Sequence, residues 1–142
     1  MLNNIMTEGE CSKLRSLIHH ANNIVLCCHV SPDGDAIGSV LGMAEVLKCM
    51  GKEPVMVVPD QFPDYLQWLP NTEKIVRYDK RSDYVDMVLK IADLVICLDF
   101  NALSRTDDME AALEACTAPR VLIDHHLNPS IACQVCVSHP NM

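Results

Sequence analysis

The sequence predicts an α/β domain: a three-layer, doubly wound, mostly parallel sheet with helices on both faces. Three observations predict it. Four short runs, Val25 to Cys28, Val55 to Val58, Leu94 to Leu98 and Val121 to Ile123, are apolar at every position rather than alternately. Strands of that kind are covered on both faces. Stretches with helical apolar spacing fall between them, and strands alternating with helices imply parallel pairing through right-handed crossovers. Finally, 142 residues are about one domain's worth of chain, enough for a single substantial core.

The elements follow in order. Thr7 and Glu10 make a capping-box pattern that opens a helix to about His20. Ile24 to Cys28 reads as the first strand. Asp35 to about Met50 is helical, with Ile37, Val40, Leu41, Ala44 and Leu47 at core spacing and Gly51 as its stop. Val55 to Val58 is the second strand. Phe62 to Leu69 is a turn or short helical piece between prolines, and Lys74 to Val76 a third, short strand. Ser82 caps a helix to about Ala92, Leu94 to Leu98 is a strand, Asp107 to Cys116 a helix and Arg120 to Ile123 a strand. Ile131 to Val137 reads as a last strand. No repeat, low-complexity tract or linker interrupts the series.

Composition narrows the class. The chain is 49% hydrophobic and 21% charged, the balance of a globular domain. Its net charge of -8 argues against long duplex nucleic acid or an anionic membrane surface as partner. A small anionic substrate stays open, because a bound divalent cation reverses the local field. No apolar run approaches the roughly 20 residues of a membrane span. Met1 to Glu10 lacks a basic-then-apolar leader pattern, so a cytoplasmic location is expected. The eight cysteines are expected to be reduced: Cys27, Cys28 and Cys97 lie inside strand-like runs as small hydrophobes. Cys133 and Cys136 form a lone CxxC, weak as a zinc signal.

Polar residues collect where the strands end. His29 follows the first run, Asp99 ends the third, and Asp124, His125 and His126 follow Val121 to Ile123. In an open parallel sheet these positions share the carboxyl edge, where ligands bind. Asp33 and Asp35 flank Gly34, expected to let the loop turn tightly and aim both carboxylates at neighbouring points. Asp99 between them suits a bridge between two cations. Imidazole with carboxylates favours Mn²⁺, with Fe²⁺, Co²⁺ or Zn²⁺ as alternatives. Two such ions about 3.5–4 Å apart hold a phosphoryl group and lower the pKa of a bound water. The stretch Asp35 to Ser39 is also a helix N-terminus, suited to an anion.

Plainer readings compete. A solitary HxxxDxD is more often a solvated loop with Asp35 as a helix cap; the shared sheet edge favours a metal site instead. His19 and His20 at a helix C-terminus read as surface residues. Tyr65 and Trp68 are read as packing of an irregular segment rather than as a base-stacking platform. Arg105 divides evenly between a phosphate contact and a solvated side chain.

The run His29-Val-Ser-Pro-Asp-Gly-Asp-Ala-Ile-Gly-Ser39, Asp99 in Leu98-Asp-Phe-Asn101 and the triplet Asp124-His125-His126 stand in the order of three motifs of the DHH phosphoesterase superfamily, which this chain resembles over roughly residues 5 to 140. The resemblance implies a two-Mn²⁺ centre, one ion on His29, Asp33 and Asp99 and the other on Asp35, Asp99 and His125. It implies that His126 is catalytic and faces the phosphate, with Asp124 supporting its neighbour; Arg105 and Ser39 are candidate phosphate contacts. The wording of the first motif and the helix before the first strand resemble the nanoRNase/oligoribonuclease and pAp-phosphatase branch. That branch implies hydrolysis of short oligonucleotides and of 3′-phosphoadenosine 5′-phosphate, and a homodimer in the full-length form. Cyclic-dinucleotide phosphodiesterases and inorganic pyrophosphatases are alternatives within the superfamily. No aspartate follows Asp124 to serve as the family's fourth-motif ligand, and its C-terminal substrate-binding domain is absent. Residues 1–142 are therefore expected to be the N-terminal part of a DHH catalytic domain with weak turnover. The alternative from another class is a non-catalytic metal- or nucleotide-binding fragment.

Overall fold

The computed structural model of the chain describes residues 8–100, 102–124 and 135–138, with Asp124 and the last segment given as backbone. Six strands form one sheet: β1 Ile24–Cys27, β2 Val55–Val58, β3 Val76–Arg77, β4 Leu94–Leu98, β5 Arg120–Asp124 and β6 Val135–Ser138. Their order is β3-β2-β1-β4-β5-β6, and every pair is parallel. The chain winds outward from β1 in one direction and from β4 in the other, so the topological switch lies between these two strands. Among the described residues four α-helices cover the sheet: α1 Glu8–His20, α2 Gly34–Cys49, α3 Ser82–Ile91 and α4 Glu110–Ala115.

Alternate side chains of each strand enter separate cores, as the two-residue period requires. Leu26, Met56, Val58, Ile96 and Leu98 meet Ile18 of α1 and Ile37, Val40, Ala44 and Leu47 of α2 on one face. Val25, Cys27, Val57, Val95, Cys97 and Leu122 meet Val85, Val88 and Leu89 of α3 and Leu113 of α4 on the other. Both faces are therefore dry, which is why the runs carry no polar alternation. Each fully buried Leu or Ile contributes about 1.5–3 kcal/mol. Leu41, expected in the core, is only partly buried against it.

The close of α2 follows from Gly51. Its φ of +81° suits a residue without Cβ. Its N–H donates to the Lys48 carbonyl and the Lys52 N–H to that of Leu47, at 3.0 and 2.9 Å, a Schellman closure. The Lys52 ammonium then reaches back to the carbonyls of His19 and Ala21, covering the end of α1.

Several expectations need correction. Ser82 is the first residue of α3, not its cap; Arg81 holds the cap position without a side-chain bond and lies 4.4 Å over the Tyr84 ring. The third strand starts at Val76, because Thr72–Lys74 closes a 3₁₀ turn in which the Thr72 hydroxyl donates to the carbonyls of Gln67 and Leu69. The helix expected from Asp107 starts at Glu110, after a 3₁₀ segment Leu103–Met109 broken by the positive φ of Asp107. Tyr65 and Trp68 are 68% and 77% exposed rather than packed. Phe62 and Leu66 take the inward positions of that segment, which turns the two aromatic rings out. The six described cysteines are free. Thr7 and Cys133 lie outside the described residues.

Candidate metal centre

Strand register brings the site together. Cys27 of β1 pairs with Cys97 of β4, and Cys97 with Leu122 of β5. His29, Asp99 and Asp124 each stand two residues beyond this matched row, so parallel pairing delivers all three to one edge. His29 and Asp99 straddle the switch between β1 and β4, where open α/β sheets leave a crevice.

There the His29 Nε2 lies 3.4 Å from Asp99 Oδ2 and 3.7 Å from Asp33 Oδ1. Single ligand atoms of these three residues all fall within 4.8 Å of one another. His29 and Asp99 are buried, while the Asp33 side chain is exposed. The His29 Nδ1 is 2.7 Å from the carbonyl of Val30, which can only accept, so Nδ1 carries the proton. That bond fixes the ring and leaves Nε2 to face the two carboxylates, the arrangement usual for metal-binding histidine. One imidazole nitrogen with two carboxylates, on a half-buried edge, fits a divalent transition ion.

Backbone conformation also marks this site. Asp99 has φ +62° although it carries a Cβ, and its N–H donates to Ile123 at 3.0 Å, which ties the turn to β5. Residues held in such regions cost of order 1–3 kcal/mol and cluster at functional sites. Gly34 does not supply the turn expected of it. It lies within α2, a Cβ there would meet nothing within 4 Å, and the left-handed residue of the loop is Ser31 at φ +51°. Asp33, not Asp35, caps α2, accepting from the Ala36 N–H at 3.0 Å.

The remaining candidates divide. Asp35 is exposed on the first turn of α2, outside the three-residue cluster, because positions two apart on a helix do not share a face. Ser39 is exposed further along the same helix. Arg105 is exposed, and its carbonyl accepts the Val30 N–H at 2.6 Å. Asp124 ends β5 opposite Ser138 of β6. His125 and His126 lie outside the described residues. One residue the sequence reading passed over is Asp60, whose carboxylate accepts the Ser31 N–H at 2.7 Å. Only a contact 29 positions away reveals it.

Asp99, bonded to the ring, raises the His29 pKa above its ordinary 6.5, against the opposing effect of burial; the Val30 carbonyl and the charges of Asp99 and Asp33 add to the rise. Two consequences follow. Without metal, the imidazolium–Asp99 pair stabilises the fold fully below pH 6.5, and this contribution is lost as pH rises through the raised value. Metal needs the neutral ring, so affinity for a divalent ion climbs as pH rises towards the raised value and levels off above it. Calorimetric titrations across pH 5.5–8.5 are expected to give that curve, and His29→Gln to flatten it. A wild-type affinity independent of pH would remove His29 from the ligand set.

Residues 23–141 match the family described as DHH family, N-terminal domain. A segment of 51 residues, 36% of this chain and 15% of the relative, is 47% identical to the bifunctional oligoribonuclease and PAP phosphatase NrnA of Thermus thermophilus. The crystal structure of an exopolyphosphatase-related protein from Bacteroides fragilis superposes with a TM-score of 0.94 at 38% identity, over 97% of this chain and 41% of that one. The chain belongs to the DHH family, a class of metal-dependent phosphoesterases. It spans less than half the length of these two relatives. Among the described residues no helix is long and apolar enough to cross a membrane.

Proposed function

We propose that this chain carries the metal-binding part of a cytoplasmic phosphoesterase that hydrolyses short oligonucleotides, 3′-phosphoadenosine 5′-phosphate, or both. The observation that carries the reading is the cluster of His29, Asp33 and Asp99 at the sheet's switch point. The similarity to a protein named oligoribonuclease and PAP phosphatase supports the substrate class.

In this reading His29, Asp33 and Asp99 hold one Mn²⁺, and Asp99, Asp35 and His125 the second. When bound, the ions supply Lewis acidity and a nucleophilic water near neutral pH. Val30 fixes the His29 ring through its carbonyl, and the backbone bond from Asp99 to Ile123 holds that carboxylate in place. His126 balances charge on the phosphoryl oxygens, with Asp124 orienting its neighbour. The N-terminus of α2, Ser39 and Arg105 add anion-binding groups. Tyr65 and Trp68, exposed on the segment after β2, favour a role in stacking bases.

The test is hydrolysis of a dinucleotide, of 3′-phosphoadenosine 5′-phosphate and of polyphosphate, each with and without Mn²⁺. Mn²⁺-dependent cleavage of the first two is expected. Trp68, the single tryptophan, reports base stacking: its fluorescence falls on adding dinucleotide but not pyrophosphate, and Trp68→Ala raises KM about 5- to 100-fold. Cleavage of polyphosphate alone overturns the nucleotide reading. Mn²⁺ binding with no cleavage of any substrate leaves a metal-binding module, and no Mn²⁺ binding overturns both.

A further inference from the structure

The loop from β1 to α2 carries His29 and Asp33, and its shape decides whether they converge. Its turn rests on Ser31 in a left-handed conformation that a residue with a Cβ disfavours. Something outside the loop must therefore hold it. Two adjacent N–H groups are gripped from opposite sides of the switch point. Val30 donates to the main chain at Arg105, after β4, at 2.6 Å. Ser31 donates to the Asp60 carboxylate, after β2, at 2.7 Å, a short bond strengthened by the acceptor's charge. Only the second grip depends on a side chain.

We propose that Asp60 is a positioning residue for the metal centre: its carboxylate locks Ser31 and so sets the approach of Asp33 to His29. The proposal rests on reading His29, Asp33 and Asp99 as metal ligands. Asp60 is not itself a member of that cluster. It acts on the loop and contributes as a hydrogen-bond acceptor at a fixed place. A groove of about 350 Å³ lined by Ser31, Pro32, Asp33, Gln61, Phe62 and Pro63 adjoins the bond, so the same contact fixes one wall of the approach to Asp33.

Two conservative variants separate geometry from charge. Asp60→Asn keeps an acceptor at the same distance without charge; Asp60→Glu keeps the charge and displaces the acceptor by one methylene. Mn²⁺ affinity by calorimetry is expected to fall about 10- to 100-fold in Asp60→Glu, the range for loss of a group that orients a ligand, and to stay within about 3-fold in Asp60→Asn. In metal-free protein, NMR exchange of the Ser31 amide should quicken at least about 10-fold in Asp60→Glu and little in Asp60→Asn. If Asp60→Asn loses affinity and Asp60→Glu keeps it, Asp60 acts by charge and the proposal is overturned. An unchanged Ser31 amide in Asp60→Glu overturns it too, with the metal reading intact. If wild-type protein binds no Mn²⁺ yet the amide responds as expected, the metal reading fails and the loop clamp survives.

Discussion

Asp99→Asn is expected to weaken Mn²⁺ binding at least about 100-fold, beyond what loss of a merely orienting group costs. Hydrolysis should fall by about three orders of magnitude. Asn is the informative replacement. Asp99 sits at φ +62°, a region Asn enters at least as readily as Asp, so the backbone keeps its turn while the charge disappears. The bond from its N–H to Ile123 is untouched. Asp99→Ala would mix loss of the ligand with backbone strain. Calorimetry, turnover and far-ultraviolet circular dichroism on one preparation give the three readings, and undiminished Mn²⁺ affinity in Asp99→Asn removes Asp99 from the site.

The next residue carries the largest stability effect. Phe100 is fully buried in the core that Val85, Leu89, Met109, Leu113 and Leu122 share. Phe100→Ala removes the whole ring and leaves a cavity that strands and helices on several sides cannot all close. Such truncations cost about 3–5 kcal/mol, against the roughly 5–15 kcal/mol that separates most folded domains from their unfolded chains. The melting temperature should fall by roughly 10–20 °C. The ring also anchors the backbone on which Asp99 turns, so Mn²⁺ affinity should fall with it. A melting temperature within a few degrees of wild type would contradict this packing.

What was legible depended on how local its cause was. The strands at Val55–Val58 and Leu94–Leu98 are readable to the residue, because burial on both faces leaves no polar position inside them. The edge strand Val76–Arg77 is too short to carry a pattern, and the Thr72 hydroxyl displaced the boundary through bonds a propensity reading does not see. At the site, the convergence of His29 with Asp99 followed from strand ends sharing an edge. Asp35 stands outside the described cluster, on the first turn of the helix that starts at Gly34. Left-handed Ser31 and Asp99 were invisible because glycine is the usual signal for that conformation. Here distant groups, Asp60 and Ile123, hold residues that would not choose it. Trp68 faces outward for a related reason: Phe62 and Leu66 fill the inward positions.

The placement of His29 after β1 and Asp99 after β4 has a thermodynamic consequence. The first belongs to the half of the sheet that winds toward β3, the second to the half that winds toward β6. An ion held by both is a cross-link between the two halves, added at the edge where the β1–β4 pairing and the bond from the Val30 N–H to the Arg105 carbonyl already join them. Neither half supplies all three of His29, Asp33 and Asp99, so ligation is coupled to docking of one half on the other. At a free concentration a hundredfold above Kd, that linkage adds about 2.7 kcal/mol to the stability of the whole domain.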